Sequence, residues 1–386
     1  WTKSKLYNGF PKPSARVVST QVVSTDHVSE DSQHTHMLMQ WGQFLDHDLD
    51  FSMPSISHAS FTDNVNCATS CEPAPPCFPI EIPHDDRRIY TTRCMEFVRS
   101  SSVCGSGITS VFFNKVEPRE QVNQLTAFID ASNVYGSYPA LAQHLREMSS
   151  NRGLLRSGVL MSTGKPLLPF NDGQPIDCKR DLAESTVDCF LAGDVRANEQ
   201  LGLLSMHTLW MREHNRIAKE LFSYNRHWDN DKIYHEARKI VGAIMQHITY
   251  AHWLPKILGK DGYAKLGPYE GYKPEVIPSI SNVFATAALR FGHTLINPEL
   301  LRLNESFKPI PEGNVPLRKA FFAPFRLLEE GGIDPLMRGL VYAPAKLKRP
   351  DQLLNSDLTE HLFTVSKYKI LLHLILNFFF LVFSSL

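Results

Sequence analysis

The sequence carries no net charge: lysine plus arginine and aspartate plus glutamate both number 40. That removes the main electrostatic argument for a nucleic-acid binder, although a local basic patch stays possible. It also has no internal repeat and no low-complexity linker, so one large domain, or two or three ordinary ones, must account for its 386 residues. Strand-like alternation is scarce, which leaves a mainly α domain. The cysteines show no C-x-x-C pairing, and without paired ligands a structural zinc site has no basis. There is no initiating Met and no signal peptide before Trp1. The chain is therefore expected to be a fragment or excised domain, and a missing targeting signal excludes nothing. With 43% apolar and 21% charged residues, the composition is too apolar for a disordered chain.

What the sequence does hold is dense cysteine. Cys67, Cys71, Cys77, Cys94 and Cys104 fall in one Pro-rich, helix-poor stretch, which reads as a disulfide-stapled loop made in an oxidising compartment. Cys178 and Cys189 bracket a polar loop that they are expected to close. Seven cysteines leave one over. The Asn304-Glu305-Ser306 triplet is a glycosylation sequon and agrees with secretion.

Helical periodicity covers residues 35–49, 202–222, 233–258 and 281–295, with long Pro- and Gly-punctuated connections between. Helices separated by long irregular loops are a pattern that fits a cofactor held between helices. In MLMQWGQFLDHDLDFS, Gln43 and His47 are i and i+4 and so share a face, with Asp46 beside them among apolar residues. Either this is a site, or it is a helix end whose Asp46, Asp48 and Asp50 face water. In QLTAFIDASNVYGS, Thr126, Asp130 and Ser132 place hard oxygens at alternate positions, with the Phe128 carbonyl between them. Such a set suits calcium, though an ordinary polar turn reads the same way and no EF-hand is present. Arg196 and Glu199 precede a long amphipathic helix on which Arg212, Glu213, His214 and Arg216 read as structural ion pairs. His293 stands alone in an apolar helix, as a satisfied core residue or an iron ligand would.

Taken in order, four strings resemble the animal haem peroxidase family, closest to its peroxidasin branch: THMLMQWGQFLDHDLD, FLAGD-x-RANEQLGL, SMHTLW-x-REHNRIA and ATAA-x-RFGHTLINP. The similarity runs from about Gly9 to about Phe363. It implies the mainly α peroxidase fold and a secreted enzyme that reduces hydrogen peroxide and oxidises halide, bromide in particular, or small organic donors. It implies haem b with His293 as proximal ligand, His47 as distal base, Gln43 beside it and Arg196 as distal cation. A neutral imidazole suits a proton shuttle between peroxide oxygens, and a guanidinium suits the charge that develops there. Asp46 and Glu199 match the carboxylates esterified to haem, and Arg290 matches the partner of a haem propionate. Gln200 stands where a Met would form a third, sulfonium link, so two ester links are expected. Asp48 joins Thr126, Phe128, Asp130 and Ser132 as a calcium set tying the distal helix to a remote loop. The implied disulfides are Cys67–Cys77, Cys71–Cys94 and Cys178–Cys189, with Cys104 free or intermolecular. Matrix proteins are expected partners through modules outside this chain; nucleic acid is not.

The resemblance stops at the end of a partial peroxidase domain, residues 1–364. The family continues there with the Asn that hydrogen-bonds the proximal imidazole and with helices covering one side of the haem. Residues 365–386 form instead a non-family tail whose last seventeen residues lack a formal charge. An apolar stretch of that length is at the lower limit for a membrane span, with Lys367 and Lys369 as a basic flank. Translated intron is the favoured reading. The chain by itself is thus expected to fold poorly or bind haem weakly while the full product is an active peroxidase, with a non-catalytic matrix-binding role or a membrane tether as alternatives.

Overall fold

The helix Met37–Leu49 forms because Trp41, Phe44 and Leu45 bury one side of it. It ends at Asp50, where the backbone turns extended (φ −141°). The helix Leu201–Tyr224 starts at Gln200, whose side chain accepts the Gly202 N–H at 2.6 Å. Its outer face carries Arg216 between Glu213 and Glu220, at 2.7 and 2.9 Å, as the ion-pair reading expects, whereas His214 of the same reading is buried against Tyr135 Oη and the Gly153 carbonyl. A short connection folds the next helix, Asn230–His247, back against it, with Asp229 capping the Lys232 N–H. In the computed structural model the described residues are 6–53, 55, 71–74, 77–89, 92–95 and 97–362.

The architecture is mainly α, as expected. Two helical expectations need correction in detail. The periodicity at 233–258 is not one helix: it passes into a π-helical segment at Ile248–Trp253 and resumes as Leu254–Ala264, itself broken at Gly259 (φ 67°). Pro255 supplies the reason, since it has no N–H and its ring crowds the carbonyl four residues back, so the turn before it widens. The segment at 281–295 is likewise not a regular α-helix. It widens to π at Phe284–Ala288 and tightens to a 3-10 helix at Leu289–Leu295. In 3-10 geometry residues three apart eclipse, which aligns Arg290 and His293 along one edge.

Strands among the described residues are short and occur only in pairs. Two of the pairs tie the start of the chain to its far end. Ser24–Thr25 runs parallel to Leu354–Asn355, and Glu30–Thr35 antiparallel to Pro344–Lys346. A satellite core of Val23, Ile80, Met95, Phe97, Leu317, Leu354 and Leu358 packs beneath them, apart from the main helical core. The buried Arg16 pins the same region, donating to Asp86 (2.6 Å) and Glu360 (3.3 Å).

Cys71–Cys94 and Cys178–Cys189 are bonded, and Cys104 is free and exposed. The expected partner of Cys77, Cys67, lies outside the described residues, as do the 364/365 boundary and the tail. Among the described residues no helix is long and apolar enough to cross a membrane. Asn304 of the sequon is exposed.

Candidate active site

A cleft opens between the Met37–Leu49 helix, the Leu289–Leu295 turn, Trp253 and the leucines 354, 358 and 362. Its lining is mostly apolar. The polar exceptions include Gln43, Asp46, His47, Glu199, Arg290 and His293, so six of the predicted site residues meet in one place. Trp253 reaches it because the widened turn before Pro255 lets its indole donate to the Leu38 carbonyl at 2.8 Å.

The three aspartates at the end of the first helix do not face water: Asp46, Asp48 and Asp50 are 4%, 0% and 7% exposed. Arg290 bridges two of them, donating to Asp46 Oδ2 at 3.3 Å and Asp50 Oδ1 at 3.4 Å. Burial pushes the Asp46 carboxyl up, but Arg290 and a hydrogen bond from Asp50 outweigh it and hold the group below its ordinary range. Asp50 is pushed the other way, up to about 8, by burial and by the Asp46 charge. Oδ1 of Asp46 is buried without a hydrogen-bond partner.

His47 is neutral, lowered to about 3 by burial and by Arg196, against the opposing pull of Asp194 and Asp46. His293 is lowered to about 4 by its enclosure and by Arg290. A neutral imidazole keeps a lone pair, which is what either a metal ligand or a base requires. Arg196 does not stand on the cavity wall. It is buried behind it, donating through Nε and Nη2 to Asp194 (2.9 and 2.8 Å) and through Nη1 to the Asp50 carbonyl (3.1 Å), over the ring of Phe51. Asp194 Oδ1 lies 3.6 Å from His47 Nδ1. The loop carrying Asp194 is pressed against the turn at 132–136, where a Cβ on Gly193 would come within 2.5 Å of the Val134 carbonyl carbon.

Glu199 is pushed up to about 7 by burial, although Arg196 opposes this, and it accepts from Gln43 Nε2 at 3.4 Å. Gln200 fixes Gln43 from the other side, its amide donating at 2.8 Å to both Gln40 Oε1 and Gln43 Oε1. Gly202 leaves room for this amide cluster, since a Cβ there would sit 2.5 Å from Gln40 Oε1.

The second oxygen-rich cluster is also assembled. Asp48 Oδ1 accepts from Ser132 Oγ (2.8 Å) and Oδ2 from the Ala131 N–H (3.0 Å), while Thr126 Oγ1 donates to Asp130 Oδ2 (2.8 Å). Ala131 takes a left-handed backbone (φ 62°), uncommon outside glycine, which turns Asp130 and Ser132 towards the distal helix. Burial and the nearby Asp130 charge push Asp48 up to about 7. Phe128, between them in sequence, keeps its side chain 43% exposed. Among the described residues no group of three or more His, Cys, Asp or Glu is arranged to hold a metal.

Sequence reasoning missed Asp194, Asp50 as a buried group, Trp253 and the leucine wall. Only Asp194 had a local signal, a carboxylate two residues before Arg196.

A sequence model described as animal haem peroxidase matches residues 1–372. The chain is 60% identical over 364 residues to Peroxidasin of Drosophila melanogaster, covering 94% of this chain and 24% of the relative. It is 59% identical over 363 residues to Peroxidasin homolog of Homo sapiens, covering 94% and 24%. It thus spans about a quarter of the length of these relatives. Among solved structures, Peroxidase A from Dictyostelium discoideum superposes with a TM-score of 0.73 at 27% identity, covering 91% of this chain and 64% of that one. Fatty acid alpha-dioxygenase from Oryza sativa shares the fold, with a TM-score of 0.62 at 16% identity, covering 86% of this chain and 52% of that one. With a family model matched along nearly its whole length, this chain belongs to the animal haem peroxidases.

Proposed function

We propose that the chain carries the haem pocket of a secreted peroxidase that reduces hydrogen peroxide and oxidises bromide, another halide or small organic donors. One observation carries the reading: His47 and His293, far apart in sequence, line one largely apolar cleft, and both imidazoles are neutral. The cleft fits haem b by its lining and by its donors. His293 would hold the iron. Asp46, with a buried oxygen lacking a hydrogen-bond partner, and Glu199, half-protonated near neutrality, would form the two ester links. Gln200 is engaged by Gln40 and Gln43, in keeping with no third link. Arg290 would meet a propionate beside Asp46.

Bound there, haem supplies the iron that takes up the oxidising equivalents of peroxide. The protein's own part is proton handling. His47 would accept a proton from one peroxide oxygen and return it to the other, with Gln43 holding the substrate side and Arg196 supplying positive charge from behind the wall. The partial domain at 1–364, the foreign tail at 365–386, secretion with glycosylation at Asn304, and matrix partners reached through other modules belong to the same reading.

Haem titration tests it. The expected result is a saturable Soret band and, with peroxide, oxidation of bromide; no saturable band would overturn the proposal. A band without oxidation would favour a binding domain that has lost catalysis.

The oxygen cluster fits calcium by its donors: two carboxylates, two hydroxyls and a carbonyl. Calcium at a hundredfold excess over its Kd is expected to stabilise the chain by about 2.7 kcal/mol. Thermal melts with calcium and with chelator should show that difference, and Asp48→Ala should abolish it. Identical melts in the unmodified chain would remove the site.

A further inference from the structure

Asp194 is used more fully than a simple ion-pair partner needs. Its Oδ1 accepts both the Arg196 backbone N–H (2.8 Å) and Arg196 Nε (2.9 Å), while Oδ2 accepts Nη2 (2.8 Å). The same Oδ1 faces His47 Nδ1 at 3.6 Å, beyond a hydrogen bond but within ion-pair range. That nitrogen is buried and has no hydrogen-bond partner. The carboxylate cannot retreat, because its neighbour Gly193 is packed against backbone at 133–136.

A neutral imidazole carries one proton, on either nitrogen. With the proton on Nε2, the Nδ1 lone pair would point at a carboxylate 3.6 Å away in a water-poor interior, which is repulsive. With the proton on Nδ1, the same contact becomes attractive and the Nε2 lone pair is left to accept a proton. We propose that Asp194 is a positioning residue: its carboxylate holds His47 as the Nδ1–H tautomer and, with the same two oxygens, fixes the Arg196 guanidinium behind the cleft. The geometric claim stands on these contacts alone, and its kinetic consequence rests on the peroxidase reading above.

The test uses the full chain labelled with 15N-histidine and free of haem, read by long-range proton–nitrogen correlation, with His47 identified by the signals lost in His47→Gln. The unmodified chain is expected to show His47 protonated at Nδ1, and Asp194→Asn to shift it to Nε2. An Nε2–H tautomer in the unmodified chain overturns the proposal, whether or not the variant folds. So does an unchanged Nδ1–H tautomer in a folded Asp194→Asn chain. In the haem-loaded protein, Asp194→Asn is expected to slow the reaction with peroxide about a hundredfold or more while the KM for the donor stays put, the range of a lost acid–base contribution. An unchanged rate with a switched tautomer would overturn the positioning role. If the loaded unmodified chain does not consume peroxide but the tautomer depends on Asp194, the positioning stands and the peroxidase reading falls.

Discussion

Replacing His293 with alanine is expected to cost the chain its haem. The residue lines the cleft from a tight helical turn that sets it three positions beyond Arg290, so the imidazole is aimed by backbone geometry rather than by loose side-chain choice. Its low basicity, about 4, leaves the ring neutral throughout the physiological range, so no proton competes for the lone pair. On the proposed ligation, removing it takes away the direct bond to iron and should weaken binding by more than the roughly 10- to 100-fold lost when a group that merely orients a ligand is removed. The backbone there is held independently: the buried Lys346 donates to the Thr294 carbonyl at 3.0 Å, which caps the end of the same turn. The variant is therefore expected to fold, with unchanged circular dichroism and a flat haem titration. Exogenous imidazole should restore the Soret band by filling the space left. A normal titration in His293→Ala would move the iron ligand elsewhere.

The second large effect is an acid sensitivity of the haem-free, calcium-free chain. His36, His207, His214 and His293 are lowered to about 4 and His47 to about 3, chiefly by burial. A base whose folded pKa is depressed contributes stability above its unfolded value, near 6.5, and loses it as pH falls towards the folded value. Three carboxyls oppose this: Asp48 and Glu199 are raised to about 7 and Asp50 to about 8. Between about pH 5 and 6 the unfolded chain binds five histidine protons that the fold refuses, and the fold keeps three carboxyl protons that the unfolded chain releases. Five less three leaves two, so stability should fall by about 3 kcal/mol for each pH unit of acidification in that window. Calcium would hold Asp48 ionised, remove one of the three opposing protons and steepen the fall. Denaturant titrations at pH 7, 6 and 5 measure the slope. A stability that is flat, or that rises on acidification, would contradict the burial of these imidazoles.

What could be read in advance follows the distance over which each contact acts. Gln43, Asp46 and His47 were legible because helical spacing alone brings them to one face. The oxygen-rich loop was legible as alternate oxygens, but the Ala131 backbone that turns them inward is a tertiary consequence with no signature in an alanine. Arg196 carried a plausible charge; that it sits behind the cleft wall depends on Asp50, Phe51 and Asp194, which only the folded chain assembles. Trp253 was hidden by its own helix pattern. Pro255 was a visible irregularity, yet nothing local says that widening the turn delivers an indole to a cavity. Nothing local marks the leucines 354, 358 and 362 as part of a site, and strand pairing with Ser24–Thr25 helps bring them to it.

That pairing has a consequence for the order in which the protein can be made. The segment at 24–35 leaves the ribosome well before its strand partners at 344–355. Until then the fourth side of the cleft does not exist, and His47 and His293 stand open to water on an unfinished surface. Closing the cleft therefore waits until residue 354 has been made, and a nascent chain stalled before it would expose the apolar lining to chaperones.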